Sequence, residues 1–313
     1  KKIHIEFSDE RLITPSGLVF VGQNLEKAVL LKKSTLRKDI QQANVDMLRE
    51  MHIEPTALDN GFVPVDIDVT PFDNSKSNKE GVSRTYKGFD GYAPIMAYIG
   101  TEGYLVNLEL RIGKQHCQKE TPDFLRETIE LCRQLTEKPL LIRLDSGNDA
   151  SENIGIFMEE SYKYNNVSFI IKRNPRQESK EEWRDRQGML PDETVIDLYH
   201  AHGESEQYHS EIKTDMDVER LPSGKFGSNK LVLELTMIAY NILRIIGQES
   251  LKKKDAPGRK KIHRRRIRTV ISNLMQFAGH LTEHAGRLVL SIGRSNRWRF
   301  TFKRLYDSFA FIT

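Results

Sequence analysis

The chain has few cysteines and lacks any long uninterrupted run of apolar residues. Cys117 and Cys132 are the two cysteines among 313 residues, too few for a disulfide framework and in keeping with a reducing cytosol. The most apolar stretch, residues 231–246, contains Glu234 and Arg244, which argues against a transmembrane span. No charged-then-apolar leader opens the chain, so we expect a cytoplasmic protein without a membrane partner.

Positive charge is concentrated in one segment, although the net charge is only +4. Ten of the 17 residues 252–268 are Lys or Arg and one is Asp255, so the rest of the chain carries a net charge of −5. Two interpretations of this segment stay open. It is either a solvated linker, which Pro257 and Gly258 would suit, or a patch for nucleic acid or an anionic membrane.

The middle of the chain predicts an α/β fold. Period-2 hydropathy and Gly-rich turns indicate strands, and apolar residues three and four apart indicate helices. The predicted elements are strands at 63–72, 92–99 and 104–112, a helix at 121–135, a strand at 140–144, a helix at 151–164 and a strand at 167–172. Three hairpin-type strands followed by helix-linked strands predict an RNase H-like mixed sheet with flanking helices.

The two ends of the chain differ from this core. Residues 1–60 predict a short strand and two helical stretches. Beyond a polar insertion, we predict helices at 199–213, 228–247, 267–285 and 295–309, and a strand at 288–292. The chain then divides into an N-terminal strand and helical region (1–60), an α/β core (61–248, with an insertion at about 176–198), and a basic linker with a C-terminal helical region (249–313).

Asp66 and Asp68 occupy alternate positions of the first core strand, so their side chains are expected on one face. This face is either an exposed polar surface or a site for a divalent cation, because hard cations such as Mg²⁺ bind carboxylate oxygens. Residues 66–70, Asp-Ile-Asp-Val-Thr, also match the nucleophile motif of haloacid-dehalogenase phosphatases. That motif requires a helix to follow, whereas the next elements predicted here are strands.

Asp145 ends the predicted strand 140–144 and precedes Ser146-Gly147. It is either a simple turn residue or a site residue, since sites form at the carboxyl ends of strands in open α/β sheets. Further along, four residues have the spacing Tyr-x2-His-x3-Glu-x6-Lys, and offsets of three, four and seven share one face of a helix. The polar stripe that they predict consists of Tyr199, His202, Glu206 and Lys213.

Together these patterns resemble an insertion-sequence DDE transposase of the type with a Tyr-Arg-Glu-Lys signature. The matching runs are residues 68–70, 88–95, 143–147, 199–213, 220–223 and 239–241, and the resemblance covers roughly residues 60–309. It implies that Asp68, Asp145 and Glu206 are catalytic acids that hold two divalent metals, Mg²⁺ with Mn²⁺ as a substitute, for phosphoryl transfer. Asp68 is preferred to Asp66 because Thr70 follows at the family's spacing.

The resemblance also implies partners and DNA contacts. We expect double-stranded DNA, both transposon ends and target, bound by a homodimer at the bacterial nucleoid. The residues expected at the DNA are Tyr199, His202, Lys213, Trp183, Arg264, Arg265 and Arg266. His202 stands where the family has Arg, and the N-terminal DNA-binding part is expected to be shortened. Alternatives are a catalytically impaired or domesticated DNA-binding derivative, and a metal-dependent phosphatase.

Overall fold

A computed structural model describes residues 3–8, 14–15, 36–174, 193–258, 262–284 and 286–310. The strands are β1 (Ile3–Ser8), β2 (Thr14–Pro15), β3 (Val63–Val69), β4 (Phe72–Asp73), β5 (Ser83–Arg84), β6 (Asp90–Tyr92), β7 (Ile95–Ile99), β8 (Tyr104–Glu109), β9 (Leu140–Leu144), β10 (Val167–Ile171), β11 (Ala278–His284) and β12 (Arg287–Gly293). The α-helices are α1 (Leu36–Glu50), α2 (Thr121–Arg133), α3 (Ser151–Tyr164), α4 (Glu193–His200), α5 (Ser205–Ser210), α6 (Phe226–Glu249), α7 (Ile267–Val270) and α8 (Arg299–Ala310).

The chain divides into two compact units. One comprises Glu54–Met237, and the other combines Lys1–Ile53 with Ile238–Thr313. The boundary near the C-terminal part falls inside α6. The two ends of the chain therefore belong to one unit, whereas the division made from the sequence treats them as separate regions.

The unit Glu54–Met237 is built on a five-stranded mixed sheet in the order β10-β9-β3-β7-β8. Strands β3, β7 and β8 pair antiparallel as a meander, while β9 and β10 add in parallel on the other side of β3. The parallel strands are linked by helices, which such connections require. This topology confirms the predicted fold class, an RNase H-like mixed sheet with flanking helices.

Strand β3 lies at the centre of this sheet and is covered on both faces. Of the two interpretations of the face that carries Asp66 and Asp68, the exposed polar surface is therefore wrong at Asp66, whose exposed fraction is 2%. Helix α2 covers the sheet with an apolar face that includes Phe124, Leu125 and Ile129. A buried charge in the middle of such a sheet must be paired, and this pairing proves central to the site.

A second, three-stranded sheet in the order β4-β6-β5 continues from the end of β3. Its backbones approach so closely that a Cβ on Gly91 would lie 1.9 Å from the carbonyl oxygen of Phe72. Only glycine fits at such a distance. This small sheet contains the β5–β6 hairpin, which lies almost wholly between the predicted strands 63–72 and 92–99, where no element was predicted.

The unit of the two chain ends contains a four-stranded sheet in the order β1-β12-β11-β2. The predicted helix 267–285 is wrong in its second half, because helical structure ends at Met275 and Ala278–His284 forms β11. Strand β11 pairs antiparallel with β12 around a turn that contains Gly286 at φ 74°. Strand pairing overrides local helical spacing here, since β11 also pairs with the distant β2 and β1 adds in parallel to β12.

Among the described helices, α6 is the one that is long and apolar enough to cross a membrane. Its most apolar window has a mean hydropathy of 1.3. However, 72% of that window is buried within the structure. Two of its buried polar side chains have partners inside the protein, since Asn241 Nδ2 donates to Asn44 Oδ1 at 2.7 Å and Arg244 Nη2 donates to the Tyr240 hydroxyl at 2.9 Å. These features are those of a core helix.

Candidate active site

Three acids from separate parts of the chain line one cleft of about 780 Å³ in the unit Glu54–Met237. Asp68 lies near the carboxyl end of β3, Asp145 directly follows β9, and Glu206 lies in α5. The parallel register pairs Ile67 with Leu144, so the chain reaches Asp68 and Asp145 side by side at one edge of the sheet. The structure therefore brings the three predicted acids together.

The two strand-end carboxylates have opposite pKa shifts. Burial and the nearby charge of Asp68 raise the pKa of Asp145, against a hydrogen bond of 2.7 Å from Asn148 Nδ2. Burial alone would also raise the pKa of Asp68, but the His209 imidazole, whose Nε2 lies 3.4 Å from Asp68 Oδ2, acts together with the charge of His202 and the N–H of Val69 to lower that pKa. The cleft therefore contains two mutually repelling carboxylates, of which Asp68 is the more readily ionised.

Asp66 is engaged by a buried cation beneath the cleft. Arg143 on β9 donates two hydrogen bonds to its carboxylate, from Nε to Oδ1 at 2.6 Å and from Nη2 to Oδ2 at 2.7 Å. His202 Nδ1 lies 2.8 Å from the same Oδ1, and Arg143 Nη1 also donates to the carbonyl of Leu198 at 2.9 Å. This network ties two central strands to the helical segment that carries Glu206.

The helical segment is not a uniform α-helix. After α4, residues Ala201–Glu204 form a 3-10 turn, and α5 passes into a π-helical turn at Glu211–Asp215. Even so, the four residues of the predicted polar stripe, Tyr199, His202, Glu206 and Lys213, all line the cleft. The four residues therefore face the same cleft although the segment changes from α-helical to 3-10 and π-helical turns.

The side chains of the stripe differ in whether they are free to bind a ligand in the cleft. Lys213 Nζ donates to the Pro71 carbonyl at 2.8 Å and lies 3.2 Å from Glu219 Oε1, so its charge is already paired. The ring of Tyr199 lies 6.0 Å from that of His202, and burial followed by the charges of the strand-end acids raises the pKa of Tyr199. Glu206 is exposed to the cleft.

Sequence reasoning missed several residues of this site. His209 lies seven positions after His202, so the helical spacing that found the stripe also pointed to it; its Nδ1 is 3.2 Å from the Tyr98 hydroxyl. Tyr86 and Lys87 line the same cleft from the β5–β6 hairpin. The sequence indicated these two residues only by their position next to the matching run 88–95. The segment in which they lie has no hydropathy periodicity.

The predicted DNA contacts in the basic segment lie in the other unit, and the structure corrects one of them. Arg265 is 5% exposed, its Nε donates to Ser250 Oγ at 2.6 Å, and its guanidinium lies 4.8 Å from the centre of the Trp298 ring. A guanidinium satisfied in this way packs the fold and does not face a DNA backbone. Arg264 is partly exposed and Arg266 is exposed, while Trp183 lies outside the described residues.

Whether the cleft suits a divalent metal can be judged from its donors. Among the described residues, no group of three His, Cys, Asp or Glu side chains is close enough to hold an ion as they stand. The donors facing the cleft are nevertheless carboxylate oxygens, which hard cations prefer. The charge of Asp68 also raises the pKa of Asp145, a repulsion that a cation between them would relieve. The residues therefore fit an oxygen-ligated divalent ion.

The strand order and the cleft define an RNase H-like domain with acids at the carboxyl ends of its central parallel strands. The sequence family described as transposase DDE domain group 1 matches residues 24–181 and 185–311, so the chain belongs to that family. No curated protein sequence was found to match it.

Two solved structures are similar at low identity. The piggyBac transposase synaptic complex with hairpin DNA has 10% identity and a TM-score of 0.44, over 90% of this chain and 63% of that chain. The Mos1 transposase paired-end complex with left transposon end has 12% identity and a TM-score of 0.24, over 64% of this chain and 80% of that chain. The chain thus spans less than two thirds of the length of the piggyBac chain.

Proposed function

We propose that the protein is the transposase of a bacterial insertion sequence, which cuts transposon ends and joins them to target DNA by phosphoryl transfer. Membership of the transposase DDE domain family supports a DNA-cutting and DNA-joining enzyme in general. The observation that carries the proposal is the meeting of Asp68, Asp145 and Glu206 in one open cleft. We also infer that it acts in the cytoplasm, at the nucleoid.

In this proposal the three acids are the metal ligands, with Mg²⁺ as the natural ion and Mn²⁺ as its substitute. When bound, two such ions would activate the attacking oxygen and stabilise the leaving oxygen of an in-line displacement. The protein itself supplies the placement. His209 and the backbone N–H of Val69, which donates to Asp68 Oδ1 at 2.7 Å, fix one carboxylate, and Asn148 fixes Asp145.

The Tyr-Arg-Glu-Lys signature takes a modified form in this chain. His202 gives its Nδ1 to Asp66, which leaves Nε2 for a phosphate contact within the cleft. Lys213 uses two of its three N–H donors on the Pro71 carbonyl and Glu219, which leaves one for a phosphate. Tyr199 lines the same wall of the cleft. We assign these three residues to holding the cleaved DNA end, with His202 in the place of the signature's arginine.

The remaining DNA contacts are assigned to the basic segment and to the insertion. Arg264 and Arg266 would bind backbone phosphates without reading sequence, because dense positive charge binds every duplex alike. Trp183 stays a predicted stacking residue for a base at the transposon end. A homodimer would bring two such ends together.

Two alternatives make different predictions. A domesticated, DNA-binding derivative would bind transposon ends without cutting them. A metal-dependent phosphatase built on Asp66 and Asp68 is disfavoured, because Asp66 is 2% exposed and its carboxylate is occupied by Arg143 and His202.

The test uses the full chain and a supercoiled plasmid that carries its coding region with flanking DNA on both sides, which supplies the transposon ends. We expect nicks at defined positions in the flanks with Mg²⁺ or Mn²⁺, and none with the Glu206→Gln variant. Defined binding without any nick would support the DNA-binding derivative. Metal-dependent hydrolysis of p-nitrophenyl phosphate without nicking would support the phosphatase, and either result would overturn the proposal.

A further inference from the structure

The β5–β6 hairpin carries two residues to the acidic cleft that the proposed function does not use. Its loop, Tyr86-Lys87-Gly88, closes with the N–H of Gly88 donating to the Thr85 carbonyl at 3.0 Å and the N–H of Thr85 donating to the Phe89 carbonyl at 2.8 Å. Gly88 has a φ of 82°, a backbone conformation that favours glycine. The local sequence therefore builds a tight three-residue loop with Tyr86 and Lys87 at its tip.

Tyr86 is held by its hydroxyl and exposed along its ring. The hydroxyl donates to the carbonyl of Val69, next to Asp68, at 3.2 Å, whereas the residue as a whole is 69% exposed. Burial of the hydroxyl, followed by the charges of Asp68 and Asp145, raises the pKa of Tyr86. An aromatic ring fixed at one end and open to solvent beside three acids has no packing role that explains its exposure.

Lys87 supplies a positive charge that the cleft otherwise lacks in available form. Two lysines line the cleft among the described residues, Lys87 and Lys213. Lys213 is paired with Glu219 and with the Pro71 carbonyl. Lys87 is exposed, and its ammonium lies 6.0 Å over the Tyr86 ring. Within the described part of the chain it forms no ion pair, so its charge is available to a ligand.

We infer that Tyr86 and Lys87 form a strand clamp, in which Lys87 binds a backbone phosphate next to the scissile one and the Tyr86 ring stacks on a base or sugar of the same DNA strand. The inference rests on the proposed function, because it names how the substrate is held over the acids. A DNA strand that enters a cleft lined by carboxylates is repelled, and a cation at the rim offsets that repulsion. Stacking on an exposed ring tolerates any base.

The experiment compares four variants of the full chain: Lys87→Gln, Lys87→Arg, Tyr86→Ala and Tyr86→Phe. The matched control is Lys114→Gln, because Lys114 is an exposed lysine whose N–H donates to Ser83 on the same hairpin, yet it does not line the cleft. All variants replace exposed side chains, and thermal unfolding checks that each is folded. Binding of a fluorescent mixed-sequence duplex with a single-stranded 3′ overhang, whose unpaired bases can stack on a ring, is measured against salt with Ca²⁺ present, and nicking of the plasmid is measured with Mg²⁺.

We expect Lys87→Gln to lower the slope of log affinity against log salt by about one and to raise KM more than it lowers kcat. Lys87→Arg should restore both. Tyr86→Ala should weaken binding roughly 5- to 100-fold, while Tyr86→Phe, which keeps the ring, should remain near the wild type.

The outcomes separate this inference from the proposed function. If the wild type nicks the plasmid but Lys87→Gln behaves as Lys114→Gln does in slope and KM, the strand clamp is overturned and the transposase stands. If the wild type nicks nothing while the Lys87→Gln slope still falls, nicking is overturned and the clamp stands as a DNA contact. Tyr86→Ala binding that equals the wild type would overturn the stacking role.

Discussion

The acidic cleft of the unit Glu54–Met237 and the basic segment 252–268 of the other unit use charge in opposite ways. In the cleft, Asp145 and Glu206 face open space, and the charge of Asp68 raises the pKa of Asp145. In the basic segment, charges that look free in the sequence are partly used to hold the fold together. Arg265 is buried against Trp298, and Asp255 is held by Arg304.

The difference teaches that charge density and charge availability are separate properties. Ten basic residues within a segment of 17 suggest a surface that binds a polyanion. The partner that each side chain contacts in the fold decides whether its charge is available for that binding. Two aspartates two positions apart on one strand show the same divergence. Asp66 is enclosed by Arg143 and His202, whereas Asp68 reaches the cleft.

The largest expected effect comes from removing an available charge in the cleft. Asp145→Asn should lower DNA nicking by about 10²- to 10³-fold or more, because it removes one of the carboxylates proposed to hold the divalent metal. The same change should leave the protein as stable or more stable at pH 7, since burial and Asp68 raise the pKa of Asp145 and so disfavour its ionised form. Plasmid nicking and thermal unfolding measure the two. A parallel loss of activity and stability would contradict this assignment.

Removing a charge that is already used should act on stability first. Asp66→Asn leaves Arg143 as a buried cation without its charged partner, and we expect the free energy of unfolding to fall by about 3–5 kcal/mol. Denaturant unfolding measures this change. The control is the double change Asp66→Leu with Arg143→Leu, which removes both charges and should be less destabilised than the single variant. Equal stability of Asp66→Asn and wild type would show that the pair does not hold the strands.

A matched pair of arginines tests the basic segment. Arg265→Gln should lower the free energy of unfolding by about 1–3 kcal/mol, because the buried Ser250 hydroxyl and the Trp298 ring lose their partner. Arg266→Gln, at an exposed neighbour, should lower stability less than Arg265→Gln does and reduce the salt dependence of duplex binding by about one unit of slope. Denaturant unfolding and anisotropy measure the two effects. If Arg265→Gln changed the salt slope and not the stability, the internal role would be excluded.

The smallest effect concerns Asp255, the acid within the basic segment. Arg304 donates to it at 2.6 Å and 2.9 Å, and this pairing lowers the pKa of Asp255. A depressed pKa stabilises the fold above the unfolded pKa of about 4, and that contribution is lost as the pH falls through the folded value. Asp255→Asn should therefore lower the free energy of unfolding by about 1 kcal/mol at pH 7. At the lowest pH at which both proteins stay folded, the two free energies of unfolding should be nearly equal. A difference that grows toward acid pH would contradict the sign.

Much of the core was predictable because its elements are strongly periodic. Strand β9 and helix α3 have the predicted bounds, and the order of strands and helices gave the sheet topology. The segment 267–285 was not predictable in the same way. Its local spacing favours a helix, but β11 pairs with β12 in a hairpin and on its other side with β2 from the N-terminus, and the second contact lies outside any window of local sequence.

Within the candidate site, the positions of the three acids were predictable and their environments were not. Residue type, spacing and resemblance were enough to select Asp68, Asp145 and Glu206. They could not show that Arg143 comes from the neighbouring strand to neutralise Asp66, because the two residues are 77 positions apart. Tyr86 and Lys87 were missed because a three-residue loop has no period to detect.

By itself the sequence determined which residue types are present, where helices and strands recur, and which acids match the transposase DDE pattern, since all of these are local or ordered along the chain. The tertiary structure alone decided which charges are available. It placed Asp68 in the cleft and Asp66 beneath it, and it buried Arg265 while leaving Lys87 exposed. The physical reason is that burial and partners within a few ångströms set the pKa of a charged group and its availability to a ligand. Folding brings those partners from distant parts of the chain.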